Sequence, residues 1–190
     1  MTEHIWWYAA RSGGLVAWAL LATSTIAGLM LSGRVRPGRR ARPAWMLDLH
    51  RFLGGLAVTF TAVHVGGVLL DSYTDIGLVD VLVPMTSSWR PGAVAWGVVG
   101  LWLLAAVELT SLAKRHLPHQ LWRRIHVLSL PLYAVATAHF VQAGTDAEGP
   151  VVLGLVAVTS MVVAGLTAWR VVRPRAEHRP VTARVAAPVS

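Results

Sequence analysis

Four histidines lie in stretches too apolar to hydrate them. His50 and His64 stand fourteen residues apart in MLDLHRFLGGLAVTFTAVHVGGVLL (residues 46–70), and His126 and His139 thirteen apart in LWRRIHVLSLPLYAVATAHFVQ (residues 121–142). On a helix, fourteen residues separate two side chains by ~21 Å along the axis and only ~40° around it. Both imidazoles of the first stretch therefore leave one face, one near each edge of a hydrocarbon core ~30 Å thick. An ionisable group inside a membrane span is expensive without a partner, which makes each of these histidines a functional hypothesis in its own right. Neutral imidazole is a metal ligand or a proton carrier, and those are the two chemistries open to the set.

The elements that must position these rings are membrane spans. The chain has 190 residues, of which 55% are hydrophobic and 14% charged, and its apolar runs are of membrane length. We expect an all-α bundle of five spans near 12–33, 46–70, 92–113, 121–142 and 150–172, with 173–190 a disordered basic tail. There is no cysteine, which excludes disulfides, iron–sulfur clusters, thiolate metal sites and CxxCH haem attachment. The first run resembles a signal peptide in length, but Glu3 and His4 precede it and arginines follow it, the reverse of a secretory signal. Trp6, Trp7 and Tyr8 before it read as an interfacial belt. The stretch 71–91 is acidic and turn-rich, and its IGLVDVLVP segment suits the interface.

Charge sets the orientation. The segment 34–45 carries Arg34, Arg36, Arg39, Arg40 and Arg42, and the turn after the third span carries Lys114, Arg115, Arg123 and Arg124. Of the seventeen basic residues, only Arg11 and Arg90 fall on the other side. The positive-inside rule then places the N-terminus outside and the C-terminus in the cytoplasm of a plasma membrane, in a bacterial cell. A net charge of +8 follows this topology and implies no nucleic-acid partner.

Topology also pairs the histidines. Spans two and four run in the same direction, so His50 meets His126 at the inner end and His64 meets His139 at the outer end. Cross-helix pairs at matched depth are what bis-histidine haem ligation needs, and they suggest two haems, one above the other. The thirteen-residue spacing puts His126 and His139 ~140° out of phase on an ideal helix; Pro131 between them is expected to kink the helix and restore the alignment. Gly54, Gly55, Gly66 and Gly67 flank the ligands, either to admit a macrocycle or for ordinary helix packing. Arg51, Arg123 and Arg124 stand where they could meet the propionates of the inner group, and Arg11 or Arg90 those of the outer, unless they serve topology alone.

LHRFLGGLAVTFTAVHV followed by WRRIHVLSLPLYAVATAHFVQAGTD resembles the ferric reductase-like transmembrane domain, a family that includes NADPH oxidases, ferric reductases and the MsrQ (YedZ) haem subunit; short actinobacterial members are the most similar. The resemblance covers about residues 12–172. It implies two b-type haems on His50, His64, His126 and His139, moving electrons across the bilayer. Flavoenzyme members carry a FAD- and NADPH-binding region after the last span. Here about eighteen polar residues follow it, without a G-x-G-x-x-G fingerprint. Members commonly have six spans, and the missing one would be the first. The resemblance therefore implies a haem subunit whose electrons come from a separate donor (a flavin reductase, an external flavoprotein or membrane quinol) and pass to an extracytoplasmic acceptor.

A histidine-lined metal or proton transporter is the alternative, and a non-catalytic scaffold the third class. A transporter would show more acids and broken helices within its spans. Glu108 near the end of span three is read as the partner of a basic residue in the next turn, or as a participant in quinol proton chemistry. His116 and His119 read as a polar turn, and His4 and His178 as solvated. Trp96, Trp102 and Tyr133 are candidates for the space between the haems, or for packing.

Overall fold

A computed structural model describes residues 4–32, 44–72 and 74–172. Most of the expected arginine-rich loop (33–43) and all of the expected basic tail (173–190) lie outside the described residues. Those described form helices and turns without a strand: α1 (Ile5–Ser32), α2 (Ala44–Leu70), α3 (Leu78–Leu82), α4 (Pro91–Leu112), α5 (His119–His126), α6 (Ser129–Ala143) and α7 (Pro150–Val172). Single 3-10 turns at Ala113–His116 and Thr145–Glu148 complete the order.

Five helical spans are long and apolar enough to cross a membrane: Ile5–Ser32, Ala44–Leu70, Pro91–His116, His119–Ala143 and Pro150–Val172. The protein is thus a multi-pass, all-helical membrane protein, as expected. The first span begins earlier than its apolar run because nothing in IWWYAAR interrupts a helix; Tyr8 N already bonds His4 O at 3.0 Å. Its 28 residues reach ~42 Å at ~1.5 Å each, longer than the hydrocarbon core. Pro91 occupies the first turn of α4, where its missing N–H costs nothing, and Arg90 before it takes φ 42°.

Water is absent from a span, so its hydroxyls must be satisfied by the protein. Thr23, Thr59, Thr61, Thr110, Thr159 and Thr167 each donate to a carbonyl four residues back in their own helix. Tyr133 is buried among α1, α6 and α7, and its hydroxyl lies 3.1 Å from Ser160 Oγ.

α1 and α2 pack antiparallel along their lengths. The contact is close because the residues are small: a Cβ on Gly67 would stand 2.6 Å from Ala10 N, and one on Gly13 3.0 Å from His64 N. α4 packs on α6, and α1 also touches α6 and α7. α2 and the α5–α6 span, the two histidine-bearing elements, make no extensive backbone contact with each other. They are held apart by α1 and α4, and the histidine rings face each other across the gap. α3, on the loop between α2 and α4, lies beside this bundle, with Val81 against a cluster of Ile76, Val94 and Val98.

Candidate haem site

The structure brings the four histidines together as two pairs. The His50 and His126 ring centroids are 6.0 Å apart with planes at 89°, and those of His64 and His139 are 6.1 Å apart at 72°. The pairing across thirteen residues is achieved where Pro131 would predict a break. Pro131 has no N–H for the carbonyl of Val127, and the helix is interrupted at Val127–Leu128. Leu128 N bonds Ile125 O at 2.9 Å and Leu130 N bonds Val127 O at 3.1 Å, both three residues back. Such bonds wind the chain at three residues per turn rather than ~3.6, which advances the phase of His139 toward that of His126.

Hydrogen bonds fix which nitrogen of each ring is available. His64 Nδ1 lies 2.6 Å from Ala10 O, and His139 Nδ1 2.8 Å from Ala93 O. A carbonyl only accepts, so Nδ1 carries the proton and Nε2 keeps its lone pair. His50 Nδ1 is held likewise by Ser24 O at 3.0 Å, with Ser24 Oγ at 3.1 Å. An imidazole whose far nitrogen donates to a carbonyl is the usual form of a metal-ligating histidine. The acceptors Ala10 and Ser24 are fourteen residues apart on α1, matching His64 and His50 on the antiparallel α2.

Glycines of neighbouring helices seat the rings. A Cβ on Gly14 would meet His64 Nδ1 at 2.8 Å, one on Gly97 would meet His139 Cε1 at 2.8 Å, and one on Gly28 would meet His50 Cε1 at 3.1 Å. These three, rather than the glycines flanking the ligands on α2, are the residues that make room for the rings. Gly55 and Gly66 face open space, Gly67 serves the α1 contact, and Gly54 faces the Glu108 carboxylate.

The His64–His139 pair lines a cavity of about 310 Å³ that runs from a mouth at Trp7, Arg11, Asp71 and Asp146 to Leu104 and Leu132. Trp18, absent from the sequence reading, lines it too, stacked on Phe140 at 4.9 Å with its Nε1 donating to Thr137 Oγ1. Its signal was there: Trp18 lies four residues from Gly14, on the same face of α1. At the mouth, Arg11 makes a bidentate pair with Asp146, which holds the Asp146 carboxyl below the usual carboxylate range. Arg90 lies over the Trp89 ring and donates to Gln142 O.

The arginines expected beside the other pair are exposed. Arg123 and Arg124 open onto a surface pocket with Gln120 and Val127. Arg51 is exposed, 3.8 Å from an equally exposed Asp48. Trp96 and Trp102 are 42% and 56% exposed, outside the space between the pairs. Glu108 has no ion pair among the described residues, against the expected one, and its carboxylate faces Gly54.

These residues fit haem. Two metal–nitrogen bonds of ~2 Å, with ~1 Å more from each nitrogen to its ring centre, place two trans imidazole centroids ~6 Å apart. Both pairs stand at that separation. Among the described residues no three of His, Asp and Glu gather as a metal-holding group, so each site offers two nitrogens. That is one fewer than the three protein ligands of a catalytic zinc site, and it is the number a macrocycle with four donors of its own requires.

No curated protein and no solved structure matches the chain. A family model described as the ferric reductase like transmembrane component matches residues 13–137, from α1 to within two residues of His139. With two thirds of its length inside that match, the chain belongs to the ferric reductase-like transmembrane family.

Proposed function

We propose that the protein is a dihaem cytochrome b that carries electrons across the membrane as the haem subunit of an oxidoreductase, residues 1–172 forming the haem domain. Family membership makes it a membrane electron-transfer component of a haem-binding type. The observation that supports the finer reading is the two histidine pairs at 6.0 and 6.1 Å, stacked along one gap between two parallel spans. His50 and His126 would hold one haem and His64 and His139 the other; a bound haem supplies a one-electron couple.

The chain's own residues orient and isolate these ligands. Ala10, Ser24 and Ala93 fix the tautomers, Gly14, Gly28 and Gly97 seat the rings, and apolar side chains of α1, α2, α4 and α6 exclude water from between the pairs. Fixed ligands and a dry surround keep reorganisation small when charge changes by one. The basic loops support an orientation with the His50–His126 pair toward the cytoplasm. Nicotinamide gives up a hydride, so a flavin or quinol on a separate donor would feed the inner site, and the outer site would serve an extracytoplasmic acceptor.

The test is an optical spectrum of the purified protein before and after dithionite, then after NADPH, quinol, or NADPH with an added flavin reductase. A sharp reduced α-band with dithionite is expected, with slow or no reduction by NADPH alone. A protein without that band would refute the reading, and rapid full reduction by NADPH alone would refute the separate donor.

A further inference from the structure

Three of the four histidines are seated in one way and the fourth in another. His64, His50 and His139 each rest against a glycine and donate Nδ1–H to a carbonyl of the adjacent helix. On α4 the same pattern, carried fourteen residues on from Ala93 and Gly97, arrives at Val107 and Ser111. His126 stands thirteen residues from His139 and does not take up that pattern. Among the described residues its Nδ1 meets Ser111 Oγ alone, at 3.3 Å. A hydroxyl can donate or accept and rotates freely, and 3.3 Å is long for such a bond, so neither tautomer nor ring plane is fixed by it.

A different support stands beside His126. Trp122, one turn earlier on α5, stacks its indole on the imidazole at 5.0 Å and 22°. Lys114, from the 3-10 turn after α4, places Nζ over the same indole, 3.9 Å from its centroid. Such a cation–π contact holds both the charge and the ring in place. The Trp122 Nε1 is buried and has no partner among the described residues, so stacking rather than hydrogen bonding positions the indole. Neither His64 nor His139 has a cation stacked in this way among the described residues.

We propose that Lys114 and Trp122 are positioning residues for His126, and that the Lys114 charge raises the electron affinity of the His50–His126 site more than that of the other. The inference rests on the two-haem reading above. From the two stacking distances, 3.9 and 5.0 Å, Nζ lies no more than 8.9 Å from the His126 centroid. A metal on that ring is then within ~12 Å of the charge. Reduction removes one positive charge, so a nearby cation favours it. At an effective dielectric between ~20 and ~80, one charge at ~12 Å changes the equilibrium about two- to tenfold. The other pair lies ~20 Å further along the bundle, so the same charge acts on it at ~30 Å and with less than half the energy.

Potentiometric titration of the full-length, haem-loaded protein tests this. Wild type should titrate as two one-electron components, one of which persists in His64→Ala. Lys114→Met should lower that component two- to tenfold in affinity, tenfold being about 59 mV for one electron, and move the other by less than half as many millivolts. Lys114→Arg should restore it. Trp122→Leu should lower the same component, and adding Lys114→Met to it should do little more, since the two act as one unit. Two clean components that Lys114→Met leaves unmoved, or moves equally, would overturn the proposal while the two-haem reading stood. A protein that binds no haem would overturn both.

Discussion

Replacing Gly14 by Ala is the sharpest structural perturbation of the His64–His139 site. The added Cβ would stand 2.8 Å from His64 Nδ1, where ordinary contact begins near 3.4 Å, so the ring must retreat by 0.6 Å or the helices must part. Neither is cheap, because α1 and α2 are already in backbone contact through Gly13 and Gly67. A retreat of that size lengthens the bond from Nδ1 to Ala10 O from 2.6 Å to as much as ~3.2 Å, the long edge of the N–H···O range, and weakens it. Disturbing a ligand's outer partner in this way typically weakens metal affinity ~10–100-fold. We therefore expect Gly14→Ala, and Gly97→Ala at the opposite ring, to weaken haem binding at this site ~10-fold or more. Gly28→Ala, with its contact at 3.1 Å, should weaken the His50 site less, and Gly66→Ala, facing open space, should change nothing. The assay is haem titration of the apoprotein in detergent, read by absorbance with the two sites resolved. Wild-type affinity in both Gly14→Ala and Gly97→Ala, or an equal loss in Gly66→Ala, would refute the seating argument.

Three further outcomes follow from the same geometry. Glu108 is a carboxylic acid within a span and without an ion pair among the described residues, so Glu108→Leu should raise thermal stability in detergent, by ~1–2 kcal/mol; a drop would show an unseen partner. Asp146 is held below the usual carboxylate range by Arg11, so its stabilising contribution is fully present above the unfolded value and fades as pH falls through the folded one. Asp146→Asn should accordingly lower the Tm at neutral pH and converge with wild type in acid; a gap that persists in acid would contradict the pairing. The ring planes at 89° and 72° should give strongly anisotropic low-spin EPR signals for both oxidised sites, whereas rhombic signals of parallel imidazoles would not fit.

The spans and the four histidines were legible because they rest on length and periodicity, which a membrane enforces strictly. Apolar runs of the right length have no other stable state in lipid. Pro131 announced the break that brings His126 and His139 into register. What the sequence hid was partnership across helices. Gly14, Gly28 and Gly97 look like any packing glycine until the opposing ring is seen, and Ala10, Ser24 and Ala93 act through carbonyls that every residue has. The arginines were less legible for a related reason. Positive charge near a cytoplasmic end is demanded by topology, so proximity in sequence to His50 or His126 says nothing about direction. Relative to His126, Arg123 lies ~60° and Arg124 ~160° around the helix, so the two do not share one direction.

The central claim, two haems held by two cross-helix histidine pairs, is tested most directly by haem stoichiometry in single and double variants. A pyridine haemochrome assay should give two haems per wild-type chain and one in His64→Ala, His139→Ala and the His64→Ala/His139→Ala double variant. It should again give one in the corresponding His50 and His126 variants, and none when one member of each pair is replaced. A wild-type value clearly below two, or a double variant of one pair that loses both haems, would contradict the account.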